Sequence, residues 1–169
     1  KINEKTTVLL GIEKIIELNW CSKNDMIGLI IHELGHVYQS QYGTLYHKDN
    51  SMAEKFLWQL YTEGVAMAFE QEIIGDSEYY NQDKNGWKEW CDQNYELIKQ
   101  SFSHDMTIMN SENQRYFGDW VSFEGHADVG YYLGARFVQY LLRSDCFDSV
   151  INYTFERVQT EFDKFVDSN

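Results

Sequence analysis

The sequence predicts an α+β domain dominated by helices, with a small strand region at its N-terminal end. Three observations lead there. Apolar residues recur at helical spacing through most of the chain, whereas a β-prone run occurs once, near the start. The 169 residues are 43% apolar and 16% aromatic, which is enough for one hydrophobic core and too apolar for wholesale disorder. Proline is absent, so glycine and Asn/Asp clusters supply the punctuation between elements.

The elements follow in order. Thr6-Thr7-Val8-Leu9-Leu10 is rich in β-branched and aliphatic residues and ends at Gly11, which reads as one short strand. Ile12 to Leu18 fits helix or strand. After Asn24-Asp25, apolar residues at Met26, Leu29, Ile30, Leu34 and Val37 give a helix that stops at Gly43. Ser51 with Glu54 three residues on is a capping box. It opens a second helix through Phe56, Leu60, Val65 and Phe69 to Ile74, before Gly75. A third helix is predicted from near Trp87 to Phe102, then a polar irregular stretch to Asp128. Two further helices cover Tyr131 to Leu142 and Phe147 to near Val166. With no repeats, low-complexity tracts or linkers, the reading is one domain over residues 1–169.

Composition narrows the function classes. Fourteen Lys and Arg against 27 Asp and Glu leave a net charge of −13, which repels phosphate backbones and argues against nucleic acid as a partner. No apolar run approaches the roughly 20 residues of a membrane helix, so no membrane span is expected in this chain. Cys21, Cys91 and Cys146 form no CxxC, which argues against a cysteine zinc site or a disulfide framework. No signal-peptide pattern opens the chain, and free thiols lean toward the cytoplasm. The first residue is Lys1 rather than Met, however, which leaves room for a preceding segment and leaves the cellular address open.

One motif dominates: His32-Glu33-Leu34-Gly35-His36, which is H-E-x-x-H. Side chains four apart share a helix face with Cβ atoms about 5–6 Å apart, so two imidazoles can converge on one zinc ion. Glu33, one residue round the helix, is placed to act as general base on a metal-activated water. A catalytic zinc needs a third protein ligand and an open fourth position. Glu63, midway along the second helix in Thr62-Glu63-Gly64-Val65-Ala66, is the candidate. Gly64 and Ala68 make a small-residue stripe expected to let that helix lie close against the H-E-x-x-H helix. The competing reading of Glu63 is a solvated glutamate on an amphipathic face.

H-E-x-x-H followed by a helix carrying E-G-x-A resembles the glutamate-liganded zinc metallopeptidases, the gluzincins. Gly130-Tyr131-Tyr132-Leu133-Gly134 is similar to the G-Y-x-x-G stretch of the predicted zinc-dependent proteases in domain-of-unknown-function class 2268. The order of Thr-Val-Leu-Leu-Gly-Ile-Glu, the zinc helix, the glutamate helix and the Gly-Tyr helix also fits that class. The resemblance implies a zincin-like domain in which His32, His36 and Glu63 bind Zn2+ and Glu33 is the base. It implies a hydrolase acting on a peptide or protein substrate.

Oxyanion donors are weighed between Tyr131, placed by its motif, and His126 in the flexible Glu124-Gly125-His126-Ala127-Asp128 stretch. His47 and His104 read as surface histidines. Trp58, Trp87, Trp90 and Trp120 are core by default and cleft walls by alternative. A non-catalytic zinc-binding or interaction domain is the competing class. Retention of Glu33, which binding alone does not need, favours the enzyme.

Overall fold

A computed structural model describes residues 7–168. Eight helices lie among them: α1 (Ile12–Glu17), α2 (Lys23–Tyr42), α3 (Met52–Ile74), α4 (Trp87–Gln93), α5 (Tyr95–Asp105), α6 (Val129–Leu141), α7 (Phe147–Val150) and α8 (Phe155–Asp167). The fold is predominantly helical. No strand occurs among the described residues; the sole β pairing there is an isolated bridge between Phe123 and His126. The strand expected over residues 6–10 is therefore corrected for residues 7–10, and Thr6 lies outside the described residues. A β-prone run becomes a strand only beside another edge that takes up its backbone groups, and none is present among the described residues.

Helix α3 is the axis of the molecule. Ser51 opens it by accepting the Glu54 N–H at 3.1 Å, and Gly75 closes it in the left-handed region at φ 80°. The Glu54 carboxylate returns to the N–H of Asn50 at 2.9 Å, so the box closes one residue earlier than predicted. Apolar side chains run nearly all round this helix, and it is buried accordingly, with Leu57, Leu60, Tyr61, Val65 and Met67 at the centre of the core. Helix α2 packs on one side of it and α6 on the other.

Two close approaches set this three-helix arrangement. A Cβ added at Gly35 of α2 would sit 2.9 Å from the Ala66 Cα, so α2 rests directly on the α3 backbone. A Cβ at Gly64 would run into the carbonyl of Gly134 on α6. The sequence assigned Gly64 and Ala68 to the α2 contact; the structure corrects this. Gly35 and Ala66 close the α2–α3 seam, Gly64 and Gly134 close the α3–α6 seam, and Ala68 is ordinary core.

Other boundaries differ for local reasons. Ser22 caps α2 by accepting the Asp25 N–H at 3.2 Å, ahead of the Asn24-Asp25 start read from the sequence. The predicted third helix divides at Asn94, whose side-chain amide donates to the Trp90 carbonyl at 2.8 Å and competes with the helical ladder. The last predicted helix divides into α7 and α8, because Thr154 caps a fresh start by accepting the Arg157 N–H. No helix among the described residues is long and apolar enough to cross a membrane. All three cysteines are free.

Candidate metal centre

His32 and His36 lie one turn apart on α2, with ring centroids 5.0 Å apart and planes at 83°. Both turn Nε2 toward α3, where the Glu63 carboxylate meets them: Oε2 is 3.2 Å from His32 and 3.3 Å from His36. The candidate ligand atoms of the three residues all lie within 4.8 Å of one another. The Gly35–Ala66 seam makes this possible, since it lets the two helices approach to backbone contact between the histidines and just beyond Glu63.

The three groups perturb one another electrostatically. Burial alone would depress the His32 imidazolium, yet the carboxylates of Glu63 and Glu70 outweigh it and hold its pKa up at about 10. Burial alone would raise the Glu63 carboxyl, yet hydrogen bonds from His32 and His36 hold it down at about 2. The two carboxylates thus favour positive charge on His32 in a mostly buried pocket, while burial raises the Glu70 carboxyl itself. Two imidazole nitrogens and one carboxylate oxygen are a catalytic zinc donor set, and the residues fit that ion.

Glu70 is the residue that sequence reasoning missed. Its side chain is fully buried and Oε2 lies 3.5 Å from His32 Nδ1, on the far side of the ring from Glu63. Neither carboxylate oxygen has a conventional hydrogen-bond partner. A signal was available: Glu70 follows Glu63 by seven residues, two turns on the same helix face, and it interrupts the apolar run Val65–Phe69.

Glu33 is half-buried and lines the same cavity of about 120 Å³ as His32, His36, Glu63, Glu70 and Tyr131. Tyr131, in the first turn of α6, packs edge-on against His32 with centroids 5.7 Å apart. Burial, then the nearby Glu63, Asp128 and Glu33 carboxylates, raise its phenol well above the ordinary range, so it remains a proton donor. His126 is not brought to this cavity. It sits on the tight turn after Glu124 and Gly125, both at positive φ, and stacks on Trp90 at 3.8 Å. Trp58 and Trp87 are core, and Trp120 is exposed. His104 is exposed, whereas His47 is half-buried between Trp58 and Phe155 rather than on the surface.

A helical fold with a His-His-Glu group able to hold a metal defines the class: a candidate metalloprotein with its site at the crossing of two core helices. Residues 10–160 match one family, described as "Predicted Zn-dependent protease (DUF2268)", and the chain belongs to it. No curated protein and no solved structure matches the chain.

Proposed function

We propose that the protein is a zinc-dependent peptidase of zincin-like, gluzincin type, folded as one domain, that hydrolyses peptide bonds with Glu33 as general base. The observation that carries this reading is the convergence of His32 and His36 Nε2 on one Glu63 oxygen, with Glu33 in the same cavity. The family description, a predicted zinc-dependent protease, supports it.

His32, His36 and Glu63 would hold the ion. When bound, zinc supplies Lewis acidity, polarising a carbonyl and lowering the pKa of water. The remaining roles belong to the chain. Glu33 takes a proton from the attacking water and returns it to the leaving amine. The Tyr131 hydroxyl donates to the carbonyl oxygen as negative charge develops there. Glu70, whose Oε2 lies 3.5 Å behind Nδ1 of His32, attracts that N–H electrostatically and so favours the ring with Nε2 toward the ion, the usual task of a carboxylate behind a ligating histidine. Metal binding without turnover is the rival reading, and Glu33 beside the ligands favours chemistry over storage.

The test is elemental analysis joined to a peptide-cleavage assay. The proposal expects about one zinc per chain and cleavage abolished by chelator and restored by zinc. A protein that binds no zinc, or cleaves peptides equally well with chelator, contradicts it.

A further inference from the structure

Glu33, His36, Val37 and Ser40 are spaced i, i+3, i+4 and i+7, and so share one face of α2. A groove of about 690 Å³ lies along that face, starting at the metal centre. Thr7, Val8, Leu9, Leu45 and Tyr46 complete its lining. A second hollow, about 130 Å³, shares Leu9 and Glu33 with it and is lined by Leu10, Ile15, Leu18, Trp20 and Leu29 together with Lys14. Leu9 is 76% exposed and Tyr46 84% exposed, so large apolar groups face solvent on the rim of the site. Among the described residues, the carboxylates, amines and imidazoles that line the larger groove are Glu33 and the ligand His36. The lining is mixed: Val8, Leu9, Val37, Leu45 and Tyr46 give an apolar stretch continuous with the candidate reacting centre, beside the polar Thr7 and Ser40 and the Glu33 carboxylate.

We infer that this groove takes the substrate side chain next to the cleaved bond, and that it selects a bulky apolar residue, aliphatic or aromatic. The inference rests on the peptidase reading for the bond that is cut, and on the groove itself for the side chain that is chosen. An acidic side chain would lose its hydration there and face the Glu33 carboxylate, whereas an apolar one removes Leu9, Val37 and Tyr46 from water. Hydrophobic pockets discriminate by roughly 10–200-fold per methylene, so a Phe-to-Asp change in the peptide should exceed about tenfold.

The experiment separates binding from turnover. An N-blocked hexapeptide with Phe at a central position, and the same peptide with Asp there, are titrated into the zinc-loaded Glu33→Gln protein by fluorescence anisotropy. The expected result is at least about tenfold tighter binding of the Phe peptide, with most of that preference lost in the Glu33→Gln, Leu9→Asp double variant. Leu9 is exposed, so that substitution leaves the fold and the zinc content intact, and zinc analysis confirms it. Equal affinity for both peptides, no binding of either, or a preference indifferent to Leu9→Asp overturns the inference. The unsubstituted protein is then offered both peptides. Cleavage beside Phe supports the groove and the peptidase reading together; cleavage regardless of the side chain overturns the groove. Selective binding without cleavage supports the groove and contradicts the peptidase reading.

Discussion

Replacing Glu70 by glutamine removes a charge from behind His32 while keeping the side chain's length and volume. The carboxylate is fully buried, 3.5 Å from Nδ1, and has no conventional partner for either oxygen. Its interaction with the ring is therefore undiluted by water. Hydrogen bonds to charged groups contribute about 1.5–3 kcal/mol. The separation exceeds the usual 2.7–3.2 Å range, which places this one at the lower end, about 1.5 kcal/mol. That corresponds to about tenfold in zinc affinity, within the 10–100-fold typical of residues behind metal ligands. Competition with a chromophoric chelator at fixed pH measures it. Glu70→Ala is less informative, because it also leaves a cavity. If Glu70 served packing alone, Glu70→Gln would lower the melting temperature of the metal-free protein and leave zinc affinity within twofold of the parent. That pattern would refute the reasoning.

Further outcomes follow from the same geometry. Tyr131→Phe should lower kcat by about 10²–10³ with zinc content unchanged. His126→Ala, which disturbs only the stack on Trp90, should leave kcat near the parent value; steady-state kinetics with zinc analysis decides between them. Because His32 is held up at about 10 in the metal-free site, it is protonated at neutral pH, and zinc must displace that proton. Glu63, held at about 2, is already ionised and releases none. Apparent zinc affinity should thus rise with pH from 6 to 9, by about tenfold per unit for one displaced proton; calorimetry in buffers of differing ionisation enthalpy counts it. Gly64→Ala gains about 1 kcal/mol of helix propensity but forces a methyl into the Gly134 carbonyl, and overpacking costs about 1–3 kcal/mol. A lower melting temperature by scanning calorimetry is the expected result.

What the sequence revealed, it revealed through local rules. The spacing of His32 and His36 already puts two imidazoles on one turn, and Ser51 with Gly75 bounds α3 through contacts within four residues. Glu63 could be named because it sits in a recognisable short motif, and the structure brings it to both histidines. Glu70 could not be paired with His32 in the same way, since that contact exists only once α2 and α3 cross at Gly35 and Ala66. The same crossing explains the misassigned glycine: Gly64 marks a close approach, but only the packed structure shows that α6, not α2, is the neighbour. Asn94 and Thr154 divided two predicted helices through a single side-chain hydrogen bond each, which periodicity does not register. The run Thr6 to Leu10 has strand composition, yet residues 7–10 have no edge to pair with among the described residues. His126 and Tyr131, five positions apart, are both candidate donors in the sequence, with Tyr131 favoured by its motif; the turn at Glu124–Gly125 sends one to Trp90, while the first turn of α6 sends the other to His32.

The central claim is that this metal centre performs hydrolysis with Glu33 as base, and Glu33→Gln tests it most directly. Zinc content and peptide cleavage are measured on the same preparation beside the parent protein. The account predicts unchanged zinc, about one ion per chain, with cleavage reduced by about 10²–10⁴-fold. Full cleavage by the zinc-loaded Glu33→Gln protein would contradict it.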